Sequence, residues 1–259
     1  MEVVIVDDDD AVGALVAGHV VSLVTAVPGA VLGLATGSSP RSTYRELVAA
    51  HEAGTLSFAR AKAYLLDEYV GLPAGHPASY RASIERELTG HIDIPPSAVH
   101  APDGGATDLR GACVAYDASV TAAGVDVQLL GIGTDGHIGF NEPTSSLASR
   151  TRLKTLTEGT RADNARFFES LAEVPRHVIT QGIGTILGAA HLILVATGQH
   201  KAAAVAAAVE GPVAARCPAS ALQLHPHATV VVDAAAASGL ELAPYYRATW
   251  DAKPGWQGL

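Results

Sequence analysis

Along this chain, short apolar runs alternate with stretches of helical periodicity, and four of the runs end in a polar turn rich in Gly, Ser or acidic residues. This rhythm constrains the fold more than any other feature. An apolar run of a few residues, buried on both sides, belongs in a parallel sheet, and the amphipathic segment that follows it is the crossover helix. The runs are Val3–Val6, Ala30–Ala35, Ala61–Leu66, Val125–Leu130, His177–Thr180, His191–Thr197 and Thr229–Asp233. Helical patterns occupy Ala11–Ala26, Arg41–Ala53, Ser79–Leu88, Asp108–Ala123, Glu158–Leu171, Gly184–Ala190 and the segment from Gly198 to Val209. Thr151–Leu156 alternates in polarity and reads as a half-exposed edge strand. No repeat, linker or low-complexity segment divides residues 1–259, and the aromatic tail from Leu240 (Tyr245, Tyr246, Trp250, Trp256) is expected to pack on the body. The expected fold is α/β: a single domain with a doubly wound, mostly parallel, Rossmann-like sheet and helices on both faces.

Composition narrows the function. With 48% hydrophobic and 17% charged residues the chain fills a large core, while a net charge of −9 and the lack of any Lys/Arg cluster argue against nucleic acid. The N-terminus has no basic, apolar signal pattern, and no apolar run approaches the roughly 20 residues of a membrane span. A soluble, cytoplasmic protein is expected. Cys113 and Cys217 form neither a disulfide framework nor a metal spacing. Asp7–Asp10 reads as a helix cap with acids at the positive end of the dipole, and His225 and His227 as structural. No metal and no cofactor is expected.

The stretch Val127–Pro143 carries the densest chemistry. After the apolar run, Gly131, Gly133 and Gly136 force a tight turn, and Asp135, His137 and Glu142 follow. In an open α/β sheet the ligand crevice lies just beyond the carboxyl ends of the strands, so an acid–His–acid cluster there is a catalytic candidate. Thr36-Gly37-Ser38-Ser39 breaks a strand into a helix N-terminus, the arrangement of an anion cradle, but it lacks the spacing of a nucleotide-binding loop. Asp67-Glu68-Tyr69 ends a third strand, and Lys201 sits in the first turn of a helix at a fourth junction. Two turns suit a phosphate and two supply carboxylates and a His. Together they suit a small phosphorylated substrate undergoing proton transfer.

On these residues the chain resembles the glucosamine-6-phosphate deaminase family, also called isomerase. The matching stretches include Leu32–Tyr44, Leu66–Tyr80, Gly131–Thr157, Arg161–Phe168, Gly182–Leu187, Gly198–Glu210 and Leu222–Pro226. The most specific is Asp-Gly-His-Ile-Gly-Phe-Asn-Glu-Pro at 135–143. The resemblance implies conversion of D-glucosamine 6-phosphate and water to D-fructose 6-phosphate and ammonia, in amino-sugar catabolism. It implies that His137 opens the sugar ring, Asp135 and Glu142 orient it, and Asp67 moves the C2 proton to C1. Thr36, Gly37, Ser38, Ser39, Arg166 and Lys201 would hold the phosphate, with Arg166 on a lid segment around residues 156–176. Ser38-Ser39 and Thr134 depart from the residues common in the family, but they keep small size or hydrogen-bonding capacity.

In hexameric members the activator N-acetylglucosamine 6-phosphate binds between subunits. The resemblance carries that site to Ser145, Ser146, Arg152, Lys154 and Tyr246, and with it a homo-oligomer, a hexamer. Two rivals stand beside the deaminase. A 6-phosphogluconolactonase-type hydrolase shares the ring-opening His but has no use for a C2 base. A sugar-phosphate sensor would keep the pocket without turnover.

Overall fold

The computed structural model describes residues 1–259, the side chain of Asp163 apart. Seven strands form one parallel sheet: β1 (Glu2–Val6), β2 (Val31–Leu34), β3 (Lys62–Leu65), β5 (Val99–His100), β6 (Val127–Leu130), β9 (His191–Ala196) and β10 (Ala228–Asp233). Their order is β1-β10-β9-β6-β2-β3-β5. Alternate residues of each strand enter opposite cores, which is why the runs are apolar throughout rather than alternating. In β9, Leu192, Leu194 and Ala196 face one core while Ile193 and Val195 face the other.

Helices cover both faces. α1 (Asp9–Ala26) and α2 (Arg41–Glu52) lie on one side, and α4 (Leu109–Ala123), α6 (Ile183–Ile186) and α7 (Ala202–Val209) on the other. α1 is by length and composition apolar enough to cross a membrane, yet Val12, Gly13, Val16, Ala17, Val20 and Val24 are spent on the core. Asp8 caps it by accepting from Ala11 N–H, with Asp9 and Asp10 in the first turn, as the acidic run predicts. The tail forms α8 (Ala243–Asp251), which packs along β1; Tyr246 meets one core and Trp250 the other.

The sheet does not hold every strand. β4 (Asp67–Tyr69), β7 (Arg152–Thr155) and β8 (His177–Thr180) form a separate antiparallel sheet in the order β4-β8-β7. Only Leu66 separates β3 from β4, so the chain passes directly from one sheet to the other. β7 is at the edge of the small sheet, as its alternation predicts. Two helical expectations need correction. Ser79–Leu88 becomes the short α3 (Tyr80–Ile84), capped by Ser79 and followed by a π-type turn at Glu85–Thr89. Glu158–Leu171 is α5 (Glu158–Asn164) followed by a 3₁₀ turn at Ala165–Phe167. That helix stops because Phe168 must turn into the aromatic cluster of Tyr69, Tyr80 and Phe140.

Candidate active site

β2 leads outward to β3 and β5, whereas β6 precedes the half of the sheet built from β9 and β10. The two strands are neighbours, so the strand order reverses between them, and a crevice opens at their carboxyl ends. The turns at Thr36–Ser39 and Gly131–Glu142 flank that crevice. Ser39 touches the turn directly: its side chain lies 3.7 Å from the position a Cβ on Gly131 would take.

The second turn is wound tightly. Gly133 N–H donates to the His137 carbonyl at 2.9 Å and Gly136 N–H to the Gly133 carbonyl at 3.0 Å. The His137 ring and Asp135 carboxylate fold back over Gly133, where a Cβ would collide with the ring and sit 2.7 Å from Asp135 Oδ1. Gly136 holds φ +84°, with its α-carbon against Cys217. His137 Nδ1 lies 2.6 Å from Asp135 Oδ1, a close contact bent away from a linear hydrogen bond. His137 N–H also donates to that oxygen at 3.2 Å.

Asp67 arrives from the junction of the two sheets. It is 5% exposed, and its carboxylate lies 3.5 Å from where a Cβ on Gly139 would be, which places it against the far end of the same turn. Burial, and next the charge of neighbouring Glu68, push its pKa up to about 8. Strand alternation sends Glu68 the opposite way. There it accepts from the backbone N–H groups of Tyr69 (2.9 Å), Tyr80 (3.0 Å) and Arg81 (2.9 Å), tying β4 to the start of α3.

The anion cradle has two sides. Gly37 at φ +107° leads into α2, whose first turn has no side-chain cap; Arg41 N–H bonds the Ser38 carbonyl at 3.3 Å, and the N–H groups of Ser42 and Thr43 are left for an anion. Across the crevice Lys201 Nζ donates to the Ile132 carbonyl at 2.7 Å, with its pKa lowered by burial and partly restored by Asp135. Asp233 accepts from Gly198 N–H through both oxygens and so fixes the turn that carries Lys201.

Asp135, His137, Asp67, Ser39 and Lys201 are thus all placed against the turn that follows β6. Two site residues do not join them. Glu142 accepts a 2.6 Å hydrogen bond from Thr160 on α5, and among the described residues no hydrogen bond links it to His137. Arg166 is exposed, its guanidinium 4.8 Å over the Phe167 ring. Of the expected activator residues, Arg152 is half-buried, with its pKa lowered by burial, and bonds Asn141 Oδ1 at 2.8 Å. Lys154 shares its strand face, Ser146 lies in the loop before β7, and Ser145 is buried with an unpartnered hydroxyl. Tyr246 lies elsewhere, on α8 beside Glu210, its pKa raised to about 12 by burial and next by the Glu210 charge. Among the described residues no three His, Cys, Asp or Glu side chains gather as a metal site would require.

Glu68, Asn141 and Thr160 were not singled out as site residues by the sequence. Asn141 lies inside the 135–143 motif and is fully buried, its amide donating to the Ile138 and Gln181 carbonyls at 2.9 and 2.8 Å. Its position in the motif was the available signal. Thr160 carried none.

Residues 8–232 match the sequence profile of the glucosamine-6-phosphate isomerases/6-phosphogluconolactonase family. The chain belongs to this family. It is 63% identical over 260 residues, covering both chains completely, to a glucosamine-6-phosphate deaminase of Pseudarthrobacter chlorophenolicus. Among solved family structures, a monomeric glucosamine-6-phosphate deaminase superposes with TM-score 0.89 at 42% identity, covering 92% of this chain and 100% of that one. The 6-phosphogluconolactonase of Trypanosoma brucei superposes with TM-score 0.74 at 20% identity over 92% of this chain and 98% of its own, and shares the fold alone.

Proposed function

We infer that this chain is a glucosamine-6-phosphate deaminase, an enzyme that converts D-glucosamine 6-phosphate and water to D-fructose 6-phosphate and ammonia. Relatives of that name, alike over the full chain, support this reading. The observation that carries it is the buried carboxyl of Asp67 beside the Asp135–His137 turn. Lactone hydrolysis needs no such base, whereas moving a proton between adjacent sugar carbons does.

The phosphate enters between the α2 N-terminus and Lys201, where free N–H groups, hydroxyls and one cation meet it. Arg166 adds its charge when the lid, residues 156–176, closes. His137 shuttles the proton between the ring oxygen and the anomeric hydroxyl to open the pyranose, with Asp135 and Glu142 orienting it. Asp67 then removes the C2 proton and delivers it to C1 through an enolamine. Water adds at C2 of the resulting imine and ammonia leaves. The apolar setting that raises Asp67 also makes it a stronger base once ionised. The fold and this small polar substrate suit a single-domain cytoplasmic enzyme.

Activation by N-acetylglucosamine 6-phosphate is a second part of the proposal. It is supported by a half-buried Arg152 whose hydrogen bonds run to Asn141 and a carbonyl rather than to a carboxylate, and by the unpartnered hydroxyl of Ser145. Lys154 and Ser146 complete the anion site on this chain. Tyr246, on the opposite edge of the fold, would come from a neighbouring copy in a homo-oligomer such as a hexamer. The solved relative is described as monomeric.

Purified protein is assayed in EDTA for ammonia and fructose 6-phosphate from glucosamine 6-phosphate, with 6-phosphogluconolactone in parallel. Equal amounts of the two products are expected. Lactone hydrolysis without ammonia moves the chain to the sister activity, and binding without turnover makes it a sensor. A hyperbolic rate curve unchanged by the acetylated sugar phosphate removes the activator and leaves the deaminase.

A further inference from the structure

Glu142 is expected to orient His137, yet among the described residues no hydrogen bond joins the two. Instead Glu142 Oε1 accepts a 2.6 Å hydrogen bond from Thr160 Oγ1, in the first turn of α5. The short distance is that of a charge-assisted O–H···O⁻ bond. Thr160 has a single hydroxyl proton, and it is committed to the carboxylate. The 2.9 Å contact between Thr160 Oγ1 and Thr157 Oγ1 must therefore have Thr157 as donor. Thr157 Oγ1 meanwhile accepts from Thr160 N–H at 3.1 Å as the N-cap of α5. The polar chain runs from the helix cap through Thr160 to Glu142, and it is the hydrogen-bonded link between this helix and the 135–143 turn.

The lid has other anchors that do not depend on this hydroxyl. Arg161 bonds the Val174 and Leu171 carbonyls and so holds the lid's own fold, and Phe168 docks it on the body, edge-on to Tyr69 with ring centroids 5.7 Å apart. The cap itself uses the backbone N–H of Thr160. Removing the hydroxyl alone thus leaves the lid folded and docked while it releases the carboxylate.

We propose that Thr160 is a positioning residue for Glu142, which makes the orientation of this catalytic carboxylate depend on the docked lid. The proposal rests on the deaminase reading. With α5 docked, the carboxylate is held in one orientation beside the ring-opening turn; when α5 lifts, its hydrogen-bond donor goes with it. Closure over the phosphate and readiness of the proton-transfer machinery then become one event. A lid that merely excluded water would have no such bond to a catalytic side chain.

The test is steady-state kinetics on Thr160→Val, Thr160→Ser, Glu142→Gln and the Thr160→Val/Glu142→Gln double variant. Thr160→Val is expected to lose about tenfold in kcat with KM nearly unchanged, the loss of one hydrogen bond to a charged group. Thr160→Ser restores most of it. In the Glu142→Gln background the valine adds no further loss, because the group it acts through is already disabled. Losses that multiply in the double variant, a change confined to KM, or full activity of Thr160→Val would each overturn the proposal. If the wild type proves inactive, the deaminase reading falls, and the coupling is read from amide exchange across residues 158–164. Faster exchange in both Thr160→Val and Glu142→Gln retains the link, and unchanged exchange removes it.

Discussion

Replacing Asp67 by Asn should make the protein inactive and more stable at once, with a stability gain that grows with pH. The pKa of Asp67 lies at about 8 in the folded chain against 3.8 as the ordinary value. The folded state therefore keeps a proton that the unfolded chain gives up above pH 3.8. The stability this proton confers is complete below that value, and it is lost as pH rises until Asp67 itself ionises near 8. Asn has the same shape and no charge, so it escapes this loss. At about 1.4 kcal/mol per pH unit, the gain in Asp67→Asn should rise from about 2 kcal/mol at pH 5 to about 6 kcal/mol at pH 9 and then level off. Urea unfolding of both proteins between pH 5 and 9 measures it, and taking the difference cancels groups common to the two. A gain that is flat with pH, or larger at pH 5, would refute the buried-acid argument. The same pKa implies that kcat/KM of the wild type rises with pH through about 8, since only ionised Asp67 can accept the C2 proton.

Two further substitutions probe the turn. Gly136→Ala must adopt φ +84° with its Cβ 2.6 Å from Cys217 Sγ. It should cost about 2–4 kcal/mol and lower kcat by displacing Asp135 and His137, seen as a fall in Tm together with the rate. Asn141→Ala removes the side-chain amide's hydrogen bonds to the Ile138 and Gln181 carbonyls and to the Arg152 guanidinium. A loss of about 2–4 kcal/mol in chemical denaturation is expected, and a loss below about 0.5 kcal/mol would contradict the assigned role.

Much of this was legible in the sequence because the main sheet is buried on both faces. Continuous apolar runs such as Leu192–Ala196 can belong to little else, and the polar turns fall at their carboxyl ends because the fold exposes those ends together. The small sheet was not legible. β4 is three residues long and pairs with β8 through Asp67 and Thr180, far apart in sequence, so no local pattern announces it. The burial of Asp67 depends on that pairing and was equally hidden. Glu68 shows the converse, since period-two alternation alone separates its task from that of Asp67. The helix expected over Glu158–Leu171 is shorter in the structure because α5 ends where the aromatic cluster draws in Phe168, a tertiary effect. Tyr246 matched a family position, but sequence alignment says nothing of which copy of the chain supplies it.

The single residue between the two sheets has a bearing on how this chain can be altered. Leu66 N–H bonds the Leu34 carbonyl at 3.2 Å, and Gln181 N–H returns to the Leu66 carbonyl at 2.7 Å. One residue is thus stitched into both layers, and Asp67 follows immediately. An insertion or deletion anywhere in 62–69 would rotate the acid out of its place, because each step along a strand reverses the side chain's direction. Among the described residues, segment 157–176 shows no comparable bond to the main sheet, so it can vary wherever Thr160, Arg166 and Phe168 keep their places. A chemist seeking to widen the range of sugars accepted would therefore graft new sequence into the exposed stretch 169–173 and keep the span before Asp67 at fixed length.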